Sequence, residues 1–232
     1  NVYCEYVRNI YEGFMCKAPK ISVYEPVTKY YYDYALPLLS EYDGDKLFPE
    51  IDVPLELIQE AEKNADVAII TIHRFSCEGE DRSSSKGDFY LTDAEQKMID
   101  DVTASFKHCV VVLNVSGMID VSWAKNNPKI DAVLLAWQPG MEGGLAIADI
   151  ICGDETPSGK LVDTFAKAFS DYPSSDTFNE SIDYIDYYED IYVGYRYFET
   201  IPNASEKVVY PFGYGLSYTE FSISKPVATL KN

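Results

Sequence analysis

The residues best suited to chemistry stand in one stretch, FSCEGEDRSSSKGDFYLTDAEQ, which spans residues 75–96. Glu78, Glu80, Asp81, Arg82 and Asp88 crowd there, directly after an apolar run, with Arg74 just before it. A carboxyl group can act as a general acid near neutral pH when burial or a neighbouring carboxylate raises its pKa. Glycoside hydrolysis uses two such groups, one as acid and one as nucleophile or base. The same residues in a solvated connection would only form ion pairs that order it. The residue types alone leave these two readings evenly balanced.

Other chemistries find less support. His73 and His108 lie far apart with no triad-like partner, and both read as structural. No G-x-S-x-G, phosphate-binding or dinucleotide-binding glycine pattern occurs. The turns SGMIDVS and GMEGG read as tight packing. The 5 cysteines are an odd number without C-x-x-C spacing, which argues against a zinc site. Cys109 and Cys152 lie in apolar runs and read as buried free thiols. That usage fits a reducing compartment, so a cytoplasmic location is the expectation, with room for a signal segment upstream of Asn1.

The net charge of −19 and pI near 4.3 disfavour nucleic acid and anionic substrates, but not a neutral sugar. No apolar run is long enough for a membrane-spanning helix. The 20 tyrosines cluster in KYYYDYA (29–35) and YIDYYEDIYVGYRYF (184–198). A packed helix face is favoured for both clusters over a sugar-binding surface.

The elements that must position the loop follow from hydrophobic period. A helix is expected over Asn1–Phe14, a short strand at ISVYEP, and a helix over 29–42 interrupted at Pro37. DVPLELIQEAEKNA reads as a helix capped by Asp52. Then strands at 66–72, 109–115 and 131–137 alternate with helices at 92–106, 121–125 and 141–153. Thr92 and Glu95 form a capping box for the first of these helices. Strands apolar on both faces, alternating with helices, predict a three-layer α/β/α sandwich with a mostly parallel sheet. Ligands bind such sheets beyond the carboxyl ends of the strands. The long 73–91 connection stands at such an end, where two to six residues are usual. Residues 1–218 are expected to form this domain. Residues 219–232 read as a linker or the first strand of a following domain.

VAIITIHRFSCEGEDRSSSKGDFYLTDAEQKMI resembles the acid/base loop of glycoside hydrolase family 3, the β-glucosidase family. Arg74, Glu78, Gly79, Asp81, Arg82 and Leu91 carry the likeness. It continues, in the family's order, through VVVLNVSGMIDVSWA, DAVLLAWQPGMEGGLAIADIICGDETPSGKL, EDIYVGYRYFET and FGYGLSYTEF. The resemblance implies an (α/β)6-like sandwich, the second domain of a larger enzyme, with a fibronectin-like domain after it. It implies that Glu78 is the general acid/base. Asp81 and Arg82 would shape the loop and tune its charge, Arg74 would anchor its base, and Glu80 would be solvated. No metal or organic cofactor is implied. The nucleophile would be an Asp on a (β/α)8 barrel, which this chain does not contain, and the first strand of the sandwich is also missing. The expected partners are a barrel-bearing polypeptide and a β-linked gluco-oligosaccharide or aryl β-glucoside, with room for a homo-oligomer of the assembled enzyme. A β-xylosidase or α-arabinofuranosidase of the same family and a non-catalytic carbohydrate-binding module are the alternatives. A flavodoxin-like nucleotide binder is disfavoured by the missing phosphate loop.

Overall fold

The computed structural model describes residues 5–41, 48–75, 81–178 and 180–229. Glu78, Gly79 and Glu80 lie outside the described residues, as do Cys77 and Asn179. The elements run α1 (Ile10–Met15), α2 (Glu25–Leu38), α3 (Leu55–Glu62), β1 (Val67–Arg74), α4 (Asp93–Ser105), β2 (His108–Val115), α5 (Ser122–Lys125), β3 (Ile130–Leu135), α6 (Gly143–Ile151), β4 (Phe165–Ala166), α7 (Tyr195–Thr200) and β5 (Val208–Tyr210).

The three β-branched runs form one parallel sheet in the order β1-β2-β3. β1 and β2 pair without interruption from Val67 opposite His108 to Arg74 opposite Val115, so their carboxyl ends coincide. Ile70 and Ile72 of β1 and Val111 and Leu113 of β2 share one core with Ile58, Ala61, Met98 and Ile99 of α3 and α4. Val112 points to the opposite face, because strand side chains alternate, and it too is fully buried. The central strand is therefore covered on both faces, as a parallel sheet requires. The fold is the α/β class expected from the alternating pattern. β4 and β5 form a separate antiparallel pair, which sends Phe165 and Val209 into the main core.

α4 begins where its capping box predicts. The Thr92 hydroxyl accepts from the Glu95 N–H at 3.1 Å, and the Thr92 N–H donates to the Glu95 carboxylate at 2.8 Å. α1 and α6 pack through glycine. A Cβ on Gly13 would stand 2.0 Å from the Gly144 carbonyl oxygen, and one on Gly144 would stand 1.9 Å from the Asn9 oxygen. Lys17 clamps the far end by pairing with Asp149 and, at 2.9 Å, with Asp154.

Several expected boundaries move. The helix expected from Asn1 begins at Ile10, because Asn9 and Glu12 close a capping box at 2.9 Å in each direction. Before it, Arg8 pairs with the chain after β3, its N–H donating to the Met141 carbonyl at 2.8 Å. The strand expected at ISVYEP is not formed. Glu25 and Pro26 instead open α2, where proline is pre-organised for a first turn. α2 then runs through Pro37 and tightens into a 3₁₀ turn, Leu39–Glu41. Asp52 does not cap α3, since Pro54 takes the capping position; Asp52 pairs with Lys97 at 2.8 Å. β3 stops at Leu135, and Trp137 adopts φ 52, which breaks the extended run. Residues 219–229 carry no strand and are exposed.

Candidate active site

Arg74 ends β1 and is only 5% exposed. Its two terminal nitrogens close on the Glu95 carboxylate at 2.6 and 2.8 Å. Its Nε donates to the Asp88 carbonyl at 2.8 Å, and Nη1 also reaches the His73 carbonyl at 2.7 Å. Burial of a guanidinium is tolerated here because a bidentate carboxylate and backbone acceptors replace its water. Burial alone would push the Glu95 carboxyl up, but Arg74 and the Thr92 N–H outweigh it and hold the group below its ordinary value. Glu95 therefore caps α4 and neutralises Arg74 with one carboxylate. The sequence reading found the first role and missed the second. The available signal was an acid on the inner face of α4.

The returning limb of the loop, residues 81–91, is built around Asp88. One carboxylate oxygen accepts from Arg82 Nη1 at 2.6 Å, and the other accepts from the Ser83 hydroxyl at 2.9 Å and from the Ser83 N–H. Arg82 Nε and Nη2 are buried and have no hydrogen-bond partner among the described residues. They lie 3.3 and 3.5 Å from where a Cβ on Gly117 would stand, so the glycine in the turn after β2 lets the guanidinium sit close against the backbone. Asp81 is exposed.

Aromatic packing fixes the rest of the limb. Phe89 is 2% exposed, with ring centroids 5.6 Å from Phe169 and 6.1 Å from Tyr172. Its carbonyl accepts from the Asp120 N–H at 2.9 Å, which ties the limb to the chain after β2. The Tyr90 hydroxyl accepts from the Phe169 N–H at 3.1 Å. At the end of β3, Trp137 packs 6.2 Å from Phe165. Two distant motifs meet nearby: the Leu161 N–H donates to Tyr214, and the Gly213 N–H donates to Leu161, both at 2.8 Å.

The structure thus places Arg74, Asp81 and Arg82 at the carboxyl end of β1 and on the limb that returns from it. Glu78, the expected acid/base, lies outside the described residues. Asp88 and Glu95, which hold the two arginines, carried no expected site role, although Asp88 stands among the clustered charges and Glu95 in the expected capping box. His73 is half-buried on β1, and burial pushes its imidazole below its ordinary pKa. His108 stands at the other end of the sheet, paired with Asp131 at 3.1 Å.

A cavity of about 210 Å³ is lined by residues that include Tyr90, Thr92, Gln96, Asp120 and Trp123. Ligand pockets usually enclose about 300–1,000 Å³. The cavity bounded by the described residues is smaller than that range. The two tyrosine clusters part ways. Tyr30, Tyr31 and Tyr34 lie on α2, and their hydroxyls bond to Asp52, Glu50 and Pro49. Residues 184–194 are not the helix face expected; Tyr187 is 89% exposed and Tyr188 72% exposed in irregular chain.

Residues 1–218 match the Glycosyl hydrolase family 3 C-terminal domain, and the chain belongs to that family. It is 46% identical to Beta-glucosidase A of Butyrivibrio fibrisolvens, covering 95% of this chain and 29% of that one. It is 36% identical to an Exo-alpha-(1->6)-L-arabinopyranosidase of Bifidobacterium longum, over 71% of this chain and 21% of that one. Among solved structures, a beta-glucosidase from Paenibacillus barengoltzii superposes with a TM-score of 0.86 at 39% identity. That match covers 94% of this chain and 24% of the other. The chain spans less than a third of the length of these relatives.

Proposed function

We propose that this chain supplies the general acid/base of a retaining β-glycosidase acting on terminal β-D-glucosyl residues, with Glu78 as that group. The observation that carries the reading is the anchored loop. In a family 3 chain, the segment around Glu78 leaves and returns at the carboxyl end of a buried parallel strand. Arg74 and Arg82 both fasten its returning limb. Ligands of such sheets bind at that end.

The chemistry has two displacements. In the first, an Asp on a barrel-bearing polypeptide attacks the anomeric carbon while Glu78 gives its proton to the departing glycosidic oxygen. In the second, Glu78, now a carboxylate, takes a proton from water as the water oxygen attacks the same carbon. The sugar is released, the Asp is freed and Glu78 is again protonated. Asp81 is exposed, three positions after Glu78 in the sequence, and tunes the local charge. A second reading, hydrolysis of pentosides such as arabinosides or xylosides, is favoured by the arabinopyranosidase among the relatives. The contacts that choose the sugar would lie on the barrel.

The test is hydrolysis of aryl β-glucosides by this chain alone and mixed with the barrel-bearing polypeptide. Alone it should be silent, because no glycosyl-enzyme forms without the nucleophile. Mixed, it should turn over. Full turnover by the isolated chain would overturn the division of labour. Silence of the mixture on both glucosides and pentosides would favour a non-catalytic sugar-binding module.

A further inference from the structure

The geometry points to Asp88 as a positioning residue for the acid/base, fixing the loop after β1 by holding both of its arginines at once. The inference rests on the reading of Glu78 above.

Asp88 is where the two anchors meet. Its backbone carbonyl accepts from Arg74 Nε at 2.8 Å, and its carboxylate accepts from Arg82 Nη1 at 2.6 Å. Arg74 is a fixed point, buried and closed on Glu95. Among the described residues that follow Glu78 in sequence, Arg82 and Ser83 are anchored, and Asp88 holds both side chains. The position of β1 is thus passed through Asp88 to Arg82 and Ser83, which follow the acid by four and five positions in the sequence.

The contact cannot be replaced locally. Arg82 Nε and Nη2 already lack partners, so the Asp88 carboxylate is the one acceptor that the guanidinium has among the described residues. Removing the charge leaves a largely buried cation unpaired, which is strongly unfavourable. Arg82 would then leave its seat against Gly117 for water, and residues 81–83 would shift with it. A misplacement of about 1 Å at a reacting group costs on the order of 10²-fold in rate. That loss falls on the step that needs the proton, because the nucleophile sits on another element.

The experiment uses the assembled enzyme with Asp88→Asn, Asp88→Glu and Glu78→Ala. It measures kcat/KM across aryl β-glucosides from activated to poor leaving groups, with thermal midpoints on the same samples. Asp88→Asn should lose on the order of 10²-fold on the poorest leaving group and little on the most activated one. Asp88→Glu, which keeps the charge, should recover part of the loss. An even loss across the series, or none, while Glu78→Ala shows a steep dependence, would overturn the role of Asp88 and leave that of Glu78 standing. A flat series for Glu78→Ala would sink the acid/base reading and this inference with it. If Asp88→Asn does not fold, Ser83→Ala should give the same pattern more weakly, and a flat series there counts against the proposal.

Discussion

Glu50 and Glu95 are two carboxylates on neighbouring segments that titrate in opposite directions. Burial pushes Glu50 up from 4.5, and the charge of Glu95 adds to this, against hydrogen bonds from Tyr31 and the Ile51 N–H. Glu95, despite its own burial, is held down by Arg74. The signs follow from linkage. A raised carboxyl favours the fold when protonated, so the Glu50 contribution is full below 4.5 and is lost as pH rises through its folded value. The Glu95 contribution is present above 4.5 and is lost as pH falls through its folded value. Glu50→Gln keeps the neutral form at all pH. It should therefore match wild type at acid pH and be the more stable protein at neutral pH, read from urea midpoints across that range. A wild type that gains stability over Glu50→Gln as pH rises would contradict this. At this scale the sequence was partly legible. Arg74 and Arg82 stood out because charges flanked an apolar strand. Asp88 stood in the same cluster without a role and Glu95 showed only its cap, because they lie 14 and 21 positions from Arg74 and only the closed βα connection brings them to it.

The alternating core elements were legible because each combined a period with punctuation. β1, β2 and β3 were continuous β-branched runs, and α4 announced itself through Thr92 and Glu95. The N-terminal region misled because Val2, Tyr6, Ile10 and Phe14 keep a helical spacing across Asn9. The capping box of Asn9 and Glu12 outweighs that spacing and starts α1 later. Glu25 and Pro26 likewise open a helix where β-branched neighbours suggested a strand. The close approach of α1 and α6 was not legible, since glycine pairs far apart in sequence carry no mark of each other. It yields a direct prediction. Gly144→Ala places a Cβ 1.9 Å from the Asn9 backbone oxygen, so the cap of α1 must shift to admit it. Overpacking of this kind costs about 1–3 kcal/mol. The urea midpoint of Gly144→Ala should fall accordingly, while Gly153→Ala, whose Cβ meets nothing within 4 Å, should suffer only from its φ of +74. Equal losses in the two variants would contradict the packing account.

The whole molecule is acidic and carries an aromatic band, Tyr184–Tyr192, that stands in water. Contiguous exposed apolar patches larger than a few hundred Å² are the kind of surface through which proteins meet partners. The chain spans 29% of the length of the Beta-glucosidase A of Butyrivibrio fibrisolvens that it matches. The proposed chemistry rests on one residue, Glu78, in an assembled enzyme. The decisive measurement is turnover by Glu78→Ala, with Glu80→Ala as control, on natural disaccharides and on activated aryl β-glucosides with and without azide. General acid/base help is worth about 10²–10⁴-fold, so Glu78→Ala should lose that much on disaccharides. Activated substrates need no proton at the leaving oxygen, so only their deglycosylation should slow. Azide should restore it by attacking without a base, and the product should be the β-glycosyl azide, because the second displacement restores the configuration. If Glu78→Ala behaves as wild type while Glu80→Ala shows the leaving-group dependence and the rescue, the acid/base is not Glu78.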